Sequence, residues 1–75
     1  MKLEIQHVGT INSVDEMEND RLLIAIDAAS KTGTVFLTFS KEHGADLEIA
    51  LGPETAERLL SLLEQAVAFI RKPHV

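Results

Sequence analysis

The chain has no cysteine, no tryptophan and no tyrosine, and its aromatic content is three phenylalanines in 75 residues. The first absence excludes a disulfide framework, a Cys-ligated zinc site and a thiol nucleophile. The other two exclude the stacked aromatic platforms that hold single-stranded nucleic acids. Basic residues are scarce too: seven Lys plus Arg stand against twelve Asp plus Glu, a formal net charge of -5. They are scattered over Lys2, Arg21, Lys31, Lys41, Arg58, Arg71 and Lys72. Duplex binding rests on a basic patch that neutralises phosphates, so direct nucleic-acid binding is not expected. The longest apolar runs, Leu22 to Ile26 and Ala66 to Ile70, are far too short to cross a bilayer, and Glu4 breaks any leader-like start. No membrane partner is expected, and a cytoplasmic location agrees with the lack of cysteine.

What is present is pattern. Residues 1–75 have the length of a single domain. Leu3, Ile5 and His7, on the apolar face, alternate with Lys2, Glu4, Gln6 and Val8, as in a half-buried strand; Gly9-Thr10 marks a kink, with Ile11 and Val14 continuing the strand, or an end. The acid-rich stretch 12–20 reads as a loop in which Ser13 and Glu16 have capping-box spacing for one helical turn. A second strand runs from Arg21 to Ala28, with Leu22, Ile24, Ile26 and Ala28 on one face. After the turn Ser30-Lys31-Thr32-Gly33 comes a third, with Val35, Leu37 and Phe39 on its apolar face. A fourth, Asp46 to Leu51, presents Leu47, Ile49 and Leu51. Pairing Ile24 with Phe39, Ile26 with Leu37, Phe39 with Leu47 and Leu37 with Ile49 keeps these faces on one side. Short connections make sequential strands antiparallel neighbours.

At Gly52-Pro53 the period changes from two to 3.6. Ala56, Leu59, Leu60, Leu63, Val67 and Ile70 form an apolar stripe, Glu54 and Glu57 suit the helix start, and Arg71, Lys72 and Pro73 suit its end. The expected architecture is α+β: a four-stranded antiparallel meander followed by one long C-terminal helix packed on one sheet face.

The helix carries more apolar surface than one sheet face requires. Leu62, Ala66 and Phe69 flank the main stripe and widen the apolar arc to about half the circumference. Burying Leu62 and Phe69 is worth roughly 1.5–3 kcal/mol each. A twisted sheet that wraps the helix is one way to cover them; a second copy meeting the same surface is the other, and the one favoured here. Leu23 and Phe36, on the opposite sheet face, are candidates for a second apolar contact.

Motifs for chemistry are lacking. His7, His43 and His74 have no metal-ligand spacing, no nucleophile signature surrounds Ser13, Ser30, Ser40 or Ser61, and the four glycines are dispersed. No catalytic residue, metal or cofactor is assigned. The run Asp15, Glu16, Met17, Glu18 and Asp20 lacks the ligand pattern of a calcium loop and reads as a docking segment, with electrostatic attraction to a basic or nucleic-acid-handling protein and Met17 as an apolar anchor. The function expected is a small, acidic, non-catalytic protein-interaction module, a homodimeric regulator or inhibitor of another protein. The alternative is an oligomer that binds a small molecule or nucleotide at its subunit interface, with Arg21, Lys31, Lys41 or Arg58 facing an anionic ligand.

Overall fold

The computed structural model describes residues 4–73; Leu3 of the expected first strand and His74 lie outside them. Strand β1 covers Ile5–Asp15, β2 Asp20–Ala29, β3 Thr34–Lys41 and β4 Leu47–Leu51, and helix α1 covers Pro53–Arg71. The strands form one antiparallel sheet in sequence order, and α1 touches β3. The chain therefore has the α+β, ββββα architecture that its periodicities require.

Register follows hydrophobic matching. Ile24 faces Phe39, Ile26 faces Leu37, Phe39 faces Leu47 and Leu37 faces Ile49. A slip of one residue would turn each of these side chains to the other face. Gly33 closes the β2–β3 turn at φ +65°, a conformation that a Cβ disfavours.

Two features of β1 depart from the reading of the sequence. The strand continues through Asn12 and Ser13 to Asp15, where a loop with one helical turn is expected, because these residues pair with Leu23, Leu22 and Asp20. Ladder bonds to a neighbouring strand outweigh a local capping-box signal. The register also shifts between His7 and Gly9, so Val8 is the extra residue of a β-bulge. Gly9 and Ile11 then lie on the face of Ile26 and Ile24, whereas Ile5 and His7 lie on the opposite face with Ala29 and Asp27. An unbroken alternation would have placed Ile11 among the polar side chains. The bulge puts it on the apolar face and sends His7 to Asp27.

The helix begins where Gly52, in extended conformation, gives way to Pro53, and ends with Arg71 in its last turn. It meets the sheet near its start, where Pro53 lies beside Gly33. Of its residues only Ala56 is even half-buried, and none of those described is buried. Leu60 and Leu63, central to the stripe expected against the sheet, are 59% and 55% exposed.

The dimensions explain why. The helix is about 28 Å long and β1 about 37 Å, yet the chain extends 56 × 30 × 15 Å. Only helix and sheet set largely end to end reach that length. The radius of gyration is 14.9 Å where a compact chain of this length has about 11 Å. Among the described residues Ala29 is the one buried apolar side chain. Apolar faces have thus formed on both sheet and helix without closing on each other.

Replacing Gly33 by Ala is expected to cost roughly 1–2 kcal/mol, the penalty for a Cβ in the left-handed region. Urea unfolding at fixed protein concentration measures it, and Gly33→Asn is expected to lose less.

Candidate functional site

Two regions concentrate the residues singled out by sequence. The first is the tip of the β1–β2 hairpin. Residues 16–19 form a tight turn, with Asn19 at φ 54°. The Asn19 N–H donates to the Asp15 carbonyl at 2.7 Å, and the Met17 N–H donates to Asp15 Oδ1 at 3.0 Å. The Asp15 side chain thereby caps the turn that its own carbonyl closes.

Most of the acidic segment is engaged within the chain. Lys41, at the end of β3, lies with Nζ 3.1 Å from Asp15 Oδ2 and also pairs with Glu18. Asp20, which is buried, accepts from the backbone N–H groups of Arg21 (3.0 Å) and His43 (3.1 Å), and His43 Nδ1 lies 2.9 Å from its Oδ1. Hydrogen bonding to the Lys41 ammonium, followed by the Met17 N–H, holds the Asp15 carboxyl below its ordinary value. The His43 side chain is the main reason that Asp20 is lowered likewise. Glu18 and then Asp15 raise Lys41. Glu16 and Met17 remain turned outward, the latter 96% exposed.

Spacing along the chain does not reveal these pairs, but the strand register does. Extending the Ile24–Phe39 pairing outward brings Leu22 opposite Lys41 and places Asp20 level with His43. Glu42 joins them, and one ligand atom each from Asp20, Glu42 and His43 falls within a 4.8 Å group. Donor types suitable for a cation are present, but both Asp20 oxygens already accept hydrogen bonds. The geometry is that of a clasp between the β1–β2 turn and the β3–β4 loop.

A second polar chain crosses the face opposite the apolar one. His7 Nδ1 lies 2.7 Å from Asp27 Oδ1, and Thr10 Oγ1 lies 3.0 Å from His7 Nε2. Hydroxyl, imidazole and carboxylate thus stand in the order of a nucleophile relay. They rise, however, from paired strands, whose backbone N–H groups lie in the plane of the sheet and point along the ladder. The arrangement joins β1 to β2 across the outer face. It also replaces the expectation that His7 sits on the apolar face.

The second region is a pair of apolar faces, half-buried on the sheet and exposed on the helix. The inner sheet face carries Ile11, Ile24, Ile26, Leu37, Phe39 and Ile49, none of them buried. On α1, Leu62 and Phe69 are 56% and 68% exposed, and Ala66 between them is exposed too. Leu23 and Phe36 share the outer face but do not adjoin. Leu23 is opposite Ser40 and Phe36 opposite Asp27, which sets them about 13 Å apart along the strands. Leu23 and Phe36 are therefore separate points on that face. Near Arg21 and Lys41 an open groove runs along the sheet edge, with Asn12, Ser13 and Glu42 also lining it. Because Lys41 is already paired with two carboxylates, the groove offers an anion less charge than the sequence promises.

No helix among the described residues is long and apolar enough to cross a membrane. No protein-family model, no curated protein and no solved structure matches this chain.

The clasp sets a pH dependence of known sign. Asp15 and Asp20 titrate lower folded than unfolded, so their contribution is complete above the unfolded value of about 3.9 and is lost as pH falls through the folded values. Lys41, raised in the fold, contributes fully below about 10.4 and loses its contribution above. Amide exchange at Asn19 and His43 is therefore expected to accelerate below about pH 4, beyond the intrinsic trend, while Ile26 and Leu37 keep their protection. Asp20→Asn should flatten this acid response. Equal protection at the tip across that range would show that the carboxylates do not hold it.

Proposed function

We propose that the chain is a non-catalytic protein-interaction module that works as a homodimer, acting as a regulator or inhibitor of another protein. The observation that carries this reading is the apolar surface left uncovered on both sheet and helix. A compact monomer of 8.2 kDa exposes about 4,500 Å², whereas this chain exposes 6467 Å². The excess is about 1,900 Å² per chain. Two copies that buried it would share about 3,900 Å², within the 2,000–5,000 Å² range of obligate homodimers. A two-fold contact is the simplest closed assembly. Leu62, Ala66 and Phe69 belong to the surface that this contact takes.

Target docking falls to the hairpin tip. With Asp15, Glu18 and Asp20 held by Lys41 and His43, the outward members are Glu16 and Met17. An exposed methionine beside a carboxylate suits a basic protein with an apolar notch, where charge hastens encounter and the thioether supplies contact. The small-molecule alternative has less support, since the groove is open and its lysine is engaged.

Self-association makes stability depend on concentration. Sedimentation at micromolar concentration is expected to give a dimer, and the thermal midpoint should rise with each tenfold increase in protein. The double variant Leu60→Glu/Leu63→Glu should abolish the dimer and lose cooperative unfolding. A wild-type monomer whose midpoint is independent of concentration would overturn the homodimer.

A further inference from the structure

Resting on the homodimer reading, we infer that the two copies exchange their helices: α1 of each lies across the apolar sheet face of the other, with Leu60, Leu63 and Val67 against the partner's equivalents of Ile26, Leu37 and Ile49. Neither face is buried within the chain: Leu60, Leu63 and Val67 are exposed, Ile26, Leu37 and Ile49 are only half-buried, and the two faces complement each other. A helix–helix dimer would leave two sheet faces wet, and a sheet–sheet dimer would leave two helices wet. Reciprocal exchange covers all four with one two-fold contact.

The dimensions agree. The helix is about 28 Å long. The strand β3 at the middle of the face is about 27 Å long, and four strands span about 14 Å. The apolar arc on α1, about half its circumference, is wider than the narrow seam of a coiled coil and suits a sheet. The joint is also set for it. Gly52 is extended, Pro53 restricts φ, and Pro53 rests beside Gly33, so the helix is carried off the end of its own sheet. Two such chains related by a two-fold axis near their joints bring each helix beneath the other's sheet. Outward from this contact, the His7–Asp27 face and the hairpin tip stay accessible.

The lack of cysteine makes the arrangement directly testable. Leu37→Cys and Leu63→Cys chains, refolded together under mild oxidation, are expected to form a mixed disulfide at about twice the 8.2 kDa chain mass. Neither variant alone should cross-link. Self-linking of Leu63→Cys would mean helix–helix contact, and self-linking of Leu37→Cys sheet–sheet contact. Either result overturns the exchange and leaves the homodimer standing, as does a dimer with no cross-link. An intrachain bond in the doubly substituted chain, with a monomeric wild type, would overturn both. Should the variants not fold, wild-type dimers mixed from labelled and unlabelled chains give the same answer. Interchain methyl contacts between Leu63 and Leu37 are expected, and their absence in a dimer refutes the exchange.

Discussion

Apolar surface must be taken from water for a short chain without disulfides to hold a fold, and here the contact between α1 and β3 removes little of it. Every larger feature of the molecule follows from that shortfall. The sheet presents one continuous apolar face, set by the matched registers of β2, β3 and β4. The helix presents a broad apolar arc. Yet the joint at Gly52 and Pro53 holds the two end to end. A total accessible surface of 6467 Å², far above that of a compact chain of this size, reflects the mismatch. Hydrophobic burial is non-directional, so the missing cover can come from any surface of the right size and shape. In the proposed homodimer, that surface is the same pair of elements in another copy.

Polar interactions in this chain have a different task. They do not build the core; they fix the ends of strands. Lys41 gathers Asp15 and Glu18, and Asp20 joins the β1–β2 turn to the backbone and side chain of His43. Exposed ion pairs contribute little individually. Asp20 differs because it is buried and accepts from two backbone N–H groups as well as facing the His43 side chain. The result is a stiff hairpin tip whose net charge stays negative. An acidic segment that looks uniform in sequence therefore divides into carboxylates that shape the turn and one, Glu16, that faces outward with Met17.

The two sheet faces divide the labour in the same way. One is apolar, with Ile24, Ile26, Leu37, Phe39 and Ile49. The other carries the Thr10–His7–Asp27 chain, with Leu23 and Phe36 kept apart by the register. The bulge at Val8 makes this division possible on β1, since it allows one strand to contribute Ile11 to the first face and His7 to the second.

By itself the sequence determined the strand alternation, the pairing of Ile24 with Phe39 and of Leu37 with Ile49, the turn at Gly33, and a helix opened by Pro53 and stopped ahead of Pro73. These depend on the period of neighbouring residues and on the φ limits of glycine and proline, so a local reading reaches them. Only the tertiary structure decided the face of His7, the extension of β1 through Ser13 to Asp15, and the joining of Lys41 to Asp15 and of Asp20 to His43. It also decided that α1 would run past its own sheet and leave Leu60 and Leu63 in water. Those outcomes depend on a bulge, on contacts between residues far apart in the chain, and on the direction taken at one joint. Periodicity records that a side chain needs a cover, but the same stripe fits the sheet of its own chain and that of another.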